Sequence, residues 1–178
     1  MTVIHIHTTP ADHQIAKLTA LAIGLHMVES AFPSPLPGVK PGIANIVTLY
    51  VLQRYGFKTA AWVNVLRVLV SSMLLGQFLT PSFMLSLTGA LVSLVALGLA
   101  HKLLSKRYFS VISLSILAAF AHIAGQLLVV RLALIPHASV LYLVPIFALA
   151  ALVFGLVNGL VTAKLLETPA SRHLIQNA

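Results

Sequence analysis

Residues 140–165 read VLYLVPIFALAALVFGLVNGLVTAKL, and no charged side chain interrupts the run before Lys164. A helix rises about 1.5 Å per residue, so a run of this kind crosses the roughly 30 Å of hydrocarbon in a bilayer. Residues 83–100 and 109–134 have the same character. The apolar residues are continuous and do not alternate with polar ones, which favours helices over the strands of a barrel.

The rest of the chain agrees. Of its 178 residues, 59% are hydrophobic and only 8% charged. Soluble domains carry about 25% charged residues, so this chain has almost nothing with which to cover a wetted surface. Mean hydropathy is +1.01 and the sequence pI about 10.3. The formal net charge is +8, which in a soluble protein would raise the question of nucleic acid. Here the basic residues sit in short gaps between apolar runs, the pattern of membrane topology signals. There are no cysteines, which excludes disulfides, thiolate metal sites and cysteine nucleophiles.

Three further spans complete an expected all-α integral membrane bundle of about six transmembrane helices. The first covers 15–32, the second 43–53 and the third 59–79, ended by Pro81. The second is too short to cross unaided and must recruit flanking residues or sit inside the bundle. Pro136 ends the fifth span, and the sixth is 140–165. The proline-rich stretch 33–42 between the first two spans cannot be regular helix. The expected organisation is an N-terminal tail over 1–14, a membrane domain over 15–167 and a C-terminal tail over 168–178. The polar start, with His5, His7 and His13, lacks a convincing cleavage site and reads as a solvated tail before a retained helix.

Lys17, Arg54, Lys58, Lys102, Lys106, Arg107, Lys164 and Arg172 all fall on one side of this arrangement, and only Lys40 and Arg131 on the other. The positive-inside rule then places both termini in the cytoplasm, with 33–42, 77–82 and 131–139 facing outward across the cytoplasmic membrane.

Arg67 lies inside the third span, where a charge costs about 2.5–3.5 kcal/mol on insertion scales. Asn64, Arg67 and Ser71 share one helical face. They form either a cationic site for an anionic ligand or a buried structural pair with Glu29 or a helix carbonyl. Glu29, the only acid in any span, has two readings also: a partner of Arg67, Lys40, Arg131 or substrate, or an exposed interfacial group. His122 and Gln126 stack four residues apart on the fifth span, either lining a cavity or bonding between helices. Asn45 and Thr48 carry the same pair of readings. Small-residue ladders occur at Ala16, Ala20 and Gly24 and at Gly155 and Gly159. They permit close helix approach, within the chain or against another subunit.

No catalytic residue, metal ligand set or cofactor is expected. There is no Walker A sequence, no HExxH and no GxSxG. The acids other than Glu29 lie near the chain ends, so a carboxylate pair for acid–base chemistry is not available.

Residues 37–49, PGVKPGIANIVTL, are followed by Arg67, by SLTGA at 86–90 and by AHIAGQ at 121–126. Together these resemble the Gx transporter family, also labelled heptaprenyl diphosphate synthase component I, over about residues 15–167. That family is similar to the substrate-binding (S) components of energy-coupling factor (ECF) vitamin transporters. The resemblance implies a six-helix bundle whose loop between the first two helices lids an outward-facing site. It also implies an A-x-x-x-A docking motif on the first helix, here Ala16 and Ala20, for a transmembrane coupling subunit with its ATPases, although some relatives act alone. Lys40 and Asn45 match the lid and the helix after it. The implied partners are the lipid bilayer, a small ligand and that coupling subunit. Neighbouring genes in the family suit a flavin-like or quinone-precursor ligand. The synthase label implies at most a non-catalytic accessory role, because a prenyl-diphosphate synthase needs carboxylates to hold Mg²⁺.

Overall fold

The computed structural model of the protein describes residues 8–31, 42–103, 110–135 and 137–168. These are 90% helical, with no strand among them. Six α-helices follow in order: α1 (Pro10–Ala31), α2 (Ile43–Tyr55), α3 (Phe57–Leu74), α4 (Pro81–Leu103), α5 (Val111–Val129) and α6 (Val144–Glu167). A π-helical turn (Val130–Leu134) extends α5, and a 3-10 turn (Ala138–Leu143) leads into α6.

Local chemistry explains the boundaries. α1 begins ahead of the apolar run because Thr9 and Asp12 cap each other reciprocally. The Thr9 N–H donates to Asp12 Oδ2 at 2.9 Å, and the Asp12 N–H to Thr9 Oγ1 at 3.3 Å. Pro10 occupies the first helical position, where its missing N–H is no loss. The Thr9 N–H and the Thr9 hydroxyl, which donates to Asp12 Oδ2 at 2.7 Å, hold the Asp12 carboxyl below its ordinary range. α2 passes into α3 through Gly56 alone, whose φ of 85° suits a residue without Cβ.

α3 ends at Leu74, short of the expected 79. The Ser71 and Ser72 hydroxyls donate back to the carbonyls of Arg67 and Leu69, at 2.6 and 2.7 Å, and the Gln77 N–H closes on the Ser72 carbonyl at 2.8 Å. Pro81 therefore opens α4 and does not terminate α3. Pro145 defines the start of α6 in the same way: it lacks an N–H, so the regular ladder starts around it and 138–143 take the tighter 3-10 form.

The helices form a closed arrangement. α2 packs on α1, α3 and α6, α3 on α4, and α5 most extensively on α4 and α6, while α1 lies over α2 and α3. Gly155 and Gly159 make the α5–α6 approach possible: a Cβ at Gly159 would stand 2.8 Å from Ile112 Cα, and one at Gly155 2.9 Å from Ile116 Cα. This ladder is used inside the chain. The ladder on α1 is not, because Ala16, Ala20 and Gly24 are exposed and a Cβ at Gly24 would meet nothing within 4 Å.

The dense apolar core occupies one half of the bundle. It is built from Leu49, Val51 and Leu52 of α2, Val63 of α3, Leu97 of α4 and Leu114 of α5. Lys17, Arg54, Lys58, Lys102 and Lys164 stand toward that end. The exterior is apolar, with Leu91, Val95 and Leu99 of α4 and Leu149, Leu156 and Leu160 of α6 exposed. Three helical stretches, Pro81–Leu103, Val111–Leu134 and Ser139–Glu167, are long and apolar enough to cross a membrane.

Candidate functional site

The other half of the bundle holds a smaller apolar cluster, Val68, Phe83 and Ala90, and beside it a cavity. The cavity has a volume of about 110 Å³ and is lined by all six helices, from the later parts of α1, α3 and α5 and the earlier parts of α2, α4 and α6. The helices therefore alternate in direction. Glu29, Asn45, Arg67, His122 and Gln126 all face this one cavity, joined by His26, Ser86 and Asn158. Lys40 lies outside the described residues, as does the proline-rich stretch up to Pro41.

Arg67 is the centre of the arrangement. It is only 4% exposed, and its Nη2 donates to Asn64 Oδ1 at 2.6 Å and to Asn45 Oδ1 at 3.2 Å. Its Nε–H is buried and has no hydrogen-bond partner. A buried donor left unmade costs about 1–3 kcal/mol, and more in a charged group, so holding Arg67 in this position carries a penalty. Asn64 is fixed in turn. Its Nδ2 reaches the Ala90 carbonyl on α4 and its Oδ1 also accepts from the Thr48 hydroxyl, both at 3.5 Å. Ser71, on the same face in sequence, is satisfied by the Arg67 carbonyl and stays out of the site.

Glu29 is buried near the end of α1 and accepts the Gly42 N–H. Asn158 Nδ2 donates to the Gly42 carbonyl at 3.2 Å. One glycine thus ties the start of α2 to both α1 and α6. Its φ of 71° is left-handed, and a Cβ there would sit 3.1 Å from Asn45 Nδ2, so the position requires glycine. Asn158 was not among the residues singled out in the sequence. The signal for it was present: it is the lone amide within an otherwise apolar span, where polar groups generally face the interior.

His122 and Gln126 meet on α5, with Gln126 Nε2 at 3.2 Å from His122 Nε2. The facing helix makes room for them. A Cβ at Gly89 of α4 would stand 2.8 Å from the His122 ring, and one at Gly125 of α5 would stand 3.0 Å from the Thr88 carbonyl. The SLTGA and AHIAGQ stretches are therefore two sides of a single helix contact. Among the described residues no group of three His or acidic side chains is placed to hold a metal ion.

Chemically, the described lining offers one guanidinium, one carboxylate, several amides and an apolar remainder. No curated protein and no solved structure matches the chain. Its sequence does match the family model described as heptaprenyl diphosphate synthase component I, over residues 18–165, and the chain belongs to that family.

Proposed function

We propose that this chain is a multi-pass protein of the cytoplasmic membrane that captures a small anionic or acceptor-rich ligand in the cavity around Arg67. The observation that carries the reading is the buried Arg67 guanidinium, held by Asn45 and Asn64 at a cavity to which every helix contributes. A soluble fold has no use for the apolar exterior of α4 and α6, whereas lipid accommodates it. The basic ends of the helices lie opposite the cavity, so the positive-inside rule opens the cavity outward and leaves both termini in the cytoplasm. The role is binding and transfer without catalysis. The ligand class includes vitamin-, flavin- and isoprenoid-like molecules, and the exposed ladder of Ala16, Ala20 and Gly24 is the face for an ECF-type coupling subunit.

The family description favours a second reading, a non-catalytic accessory subunit in polyprenyl diphosphate synthesis. The buried Arg67 facing the cavity supplies a binding group for an anionic ligand, so the capture reading is preferred. Mass spectrometry of what co-purifies in mild detergent tests both, with Arg67→Ala as control. A small anionic molecule lost in the variant is the expected result. A polyprenyl compound, or a bound prenyltransferase retained by the variant, would replace this reading with the accessory one.

A further inference from the structure

Two turns lie at the cavity end of the bundle, 75–80 between α3 and α4 and 130–143 between α5 and α6. Arg131 is the one Lys, Arg, Asp or Glu side chain in both together. Turns that face water are built mainly from small and polar residues. These two instead turn apolar side chains outward: Leu79 is 69% exposed, Leu132 72%, Leu141 62% and Tyr142 87%.

Leu79 is also held in an unfavourable backbone conformation. Its φ is 61°, in the left-handed region where a Cβ crowds the chain. Gly76, with φ 65° in the same turn, is the ordinary occupant of such a position. The Thr80 N–H and hydroxyl fix the bend by donating to the Gln77 carbonyl, at 3.1 and 2.6 Å. A leucine so held and turned away from the protein gains nothing inside the fold. Lipid would give its side chain an apolar surrounding.

The lengths of the helices agree. Ser139–Glu167 has 29 residues, about 43 Å even at α-helical rise. That exceeds the roughly 30 Å of hydrocarbon but matches the 40–45 Å or so that includes both head-group regions. The 130–143 turn therefore reaches head-group depth. Tyrosine belongs at that level, and Arg131 meets lipid phosphate there. The rim of the cavity lies close below. Gln126, which lines it, is about 7–8 Å along α5 from Arg131. Ser82 lines it too, and its hydroxyl donates to Gln77 Oε1 at 3.3 Å, in the turn that carries Leu79.

We infer that this end of the bundle is seated in the outer leaflet at head-group depth, so that the cavity fills from the lipid and its ligand is an amphiphile, an acid with an apolar body. The acid group takes Arg67. Leu85, Ile123 and Phe154, which line the same cavity, take the apolar part. The ligand class rests on Arg67 being the anion site, whereas the seating does not.

The seating is tested by fluorescence, because Trp62 is the only tryptophan. Leu79→Trp and Tyr142→Trp are each made in a Trp62→Phe background. The full chain is reconstituted in phosphatidylcholine–phosphatidylglycerol vesicles. The expected result at both positions is strong quenching by lipids brominated near the head-group end of the chain, weaker quenching by lipids brominated near the chain end, and protection from aqueous iodide. Free access of iodide overturns the inference. So does shielding from both iodide and bromine, which would mean that protein covers the turn.

The ligand class is tested with octanesulfonate and ethanesulfonate, which carry the same fixed charge, each read against protein-free vesicles. Octanesulfonate should bind saturably and at least tenfold more tightly, as for about two buried methylenes. That binding should be lost in Arg67→Gln and weakened in Asn45→Ala, which stands in should the first not fold. Equal affinity for the two probes overturns the ligand class. Failure of both to bind would sink the anion-capture reading and the ligand class with it, while the quenching would still decide where this end of the bundle sits.

Discussion

The same substitution, glycine to alanine, should have opposite effects at Gly159 and Gly24. At Gly159 the new methyl would stand 2.8 Å from Ile112 Cα and 3.0 Å from Ser115 Cβ. Comfortable carbon contacts lie near 3.5–4.0 Å, so α5 and α6 must part by ~1 Å. The nearest atom is backbone, so no side chain can swing aside. Overpacking of this kind costs about 1–3 kcal/mol. With a melting shift of about 2–4 °C per kcal/mol for a chain of this size, the expected loss is roughly 2–12 °C. Gly24 faces outward with nothing within 4 Å, and alanine there gains about 0.5–1 kcal/mol of helix stability. Thermal unfolding of both variants in one detergent, followed by circular dichroism and by size exclusion, reads the contrast. The damage at Gly159 should reach the cavity as well. Asn158 is the adjacent residue, and a ~1 Å movement takes its 3.2 Å bond to the Gly42 carbonyl beyond hydrogen-bonding range. A Gly159→Ala protein that melts with the parent, or a Gly24→Ala protein that is equally damaged, would refute the account of helix packing.

Two further substitutions address the site. Asn64→Asp places a carboxylate where the amide oxygen now accepts from Arg67 Nη2 at 2.6 Å; it should weaken anion binding at least tenfold, about 1.4 kcal/mol, and also lower the melting temperature, since a carboxylate oxygen would then face the Ala90 carbonyl to which the amide now donates. Gly89→Ala, with a Cβ 2.8 Å from the His122 ring, should displace His122 from Gln126 and cost about 1–3 kcal/mol, read as a lowered melting temperature together with weaker retention of the co-purified ligand.

The helices were legible because long apolar runs need no tertiary information to be recognised. Their ends were less so. Pro81 was expected to stop α3, but the stop came earlier, from serines bonding back to their own helix, and the proline began the next helix instead. Pro145, inside an apolar run, moved the α6 start for the reason that makes proline acceptable in a first turn. The convergence of Glu29, Asn45, Arg67, His122 and Gln126 on one cavity follows from polar side chains turning inward in an apolar bundle. What spacing alone did not separate was Ser71 from Arg67: both share a face, but a hydroxyl can satisfy itself on its own helix and a guanidinium cannot. Asn158 was legible as the lone amide of an apolar span, but its tie to the Gly42 carbonyl was not, because a backbone partner leaves no mark in a sequence. The use of the two small-residue ladders was likewise undecided until the neighbours of each were in place.

The backbone of Gly42 reaches back 13 residues to Glu29 and forward 116 to Asn158. In a chain made from its N-terminus, the first of these ties forms early and the second only after the last helix has emerged. Until then the start of α2 is held on one side, the cavity lacks a wall, and Arg67 and Glu29 lie in an unfinished bundle. Closure of the site therefore waits for α6. A chain halted before α6 would keep most of its helices and its core contacts yet be unable to close around a ligand. Contacts of such long range are slow to form, so the interval before closure is when this protein is most exposed to mispairing and to proteolysis.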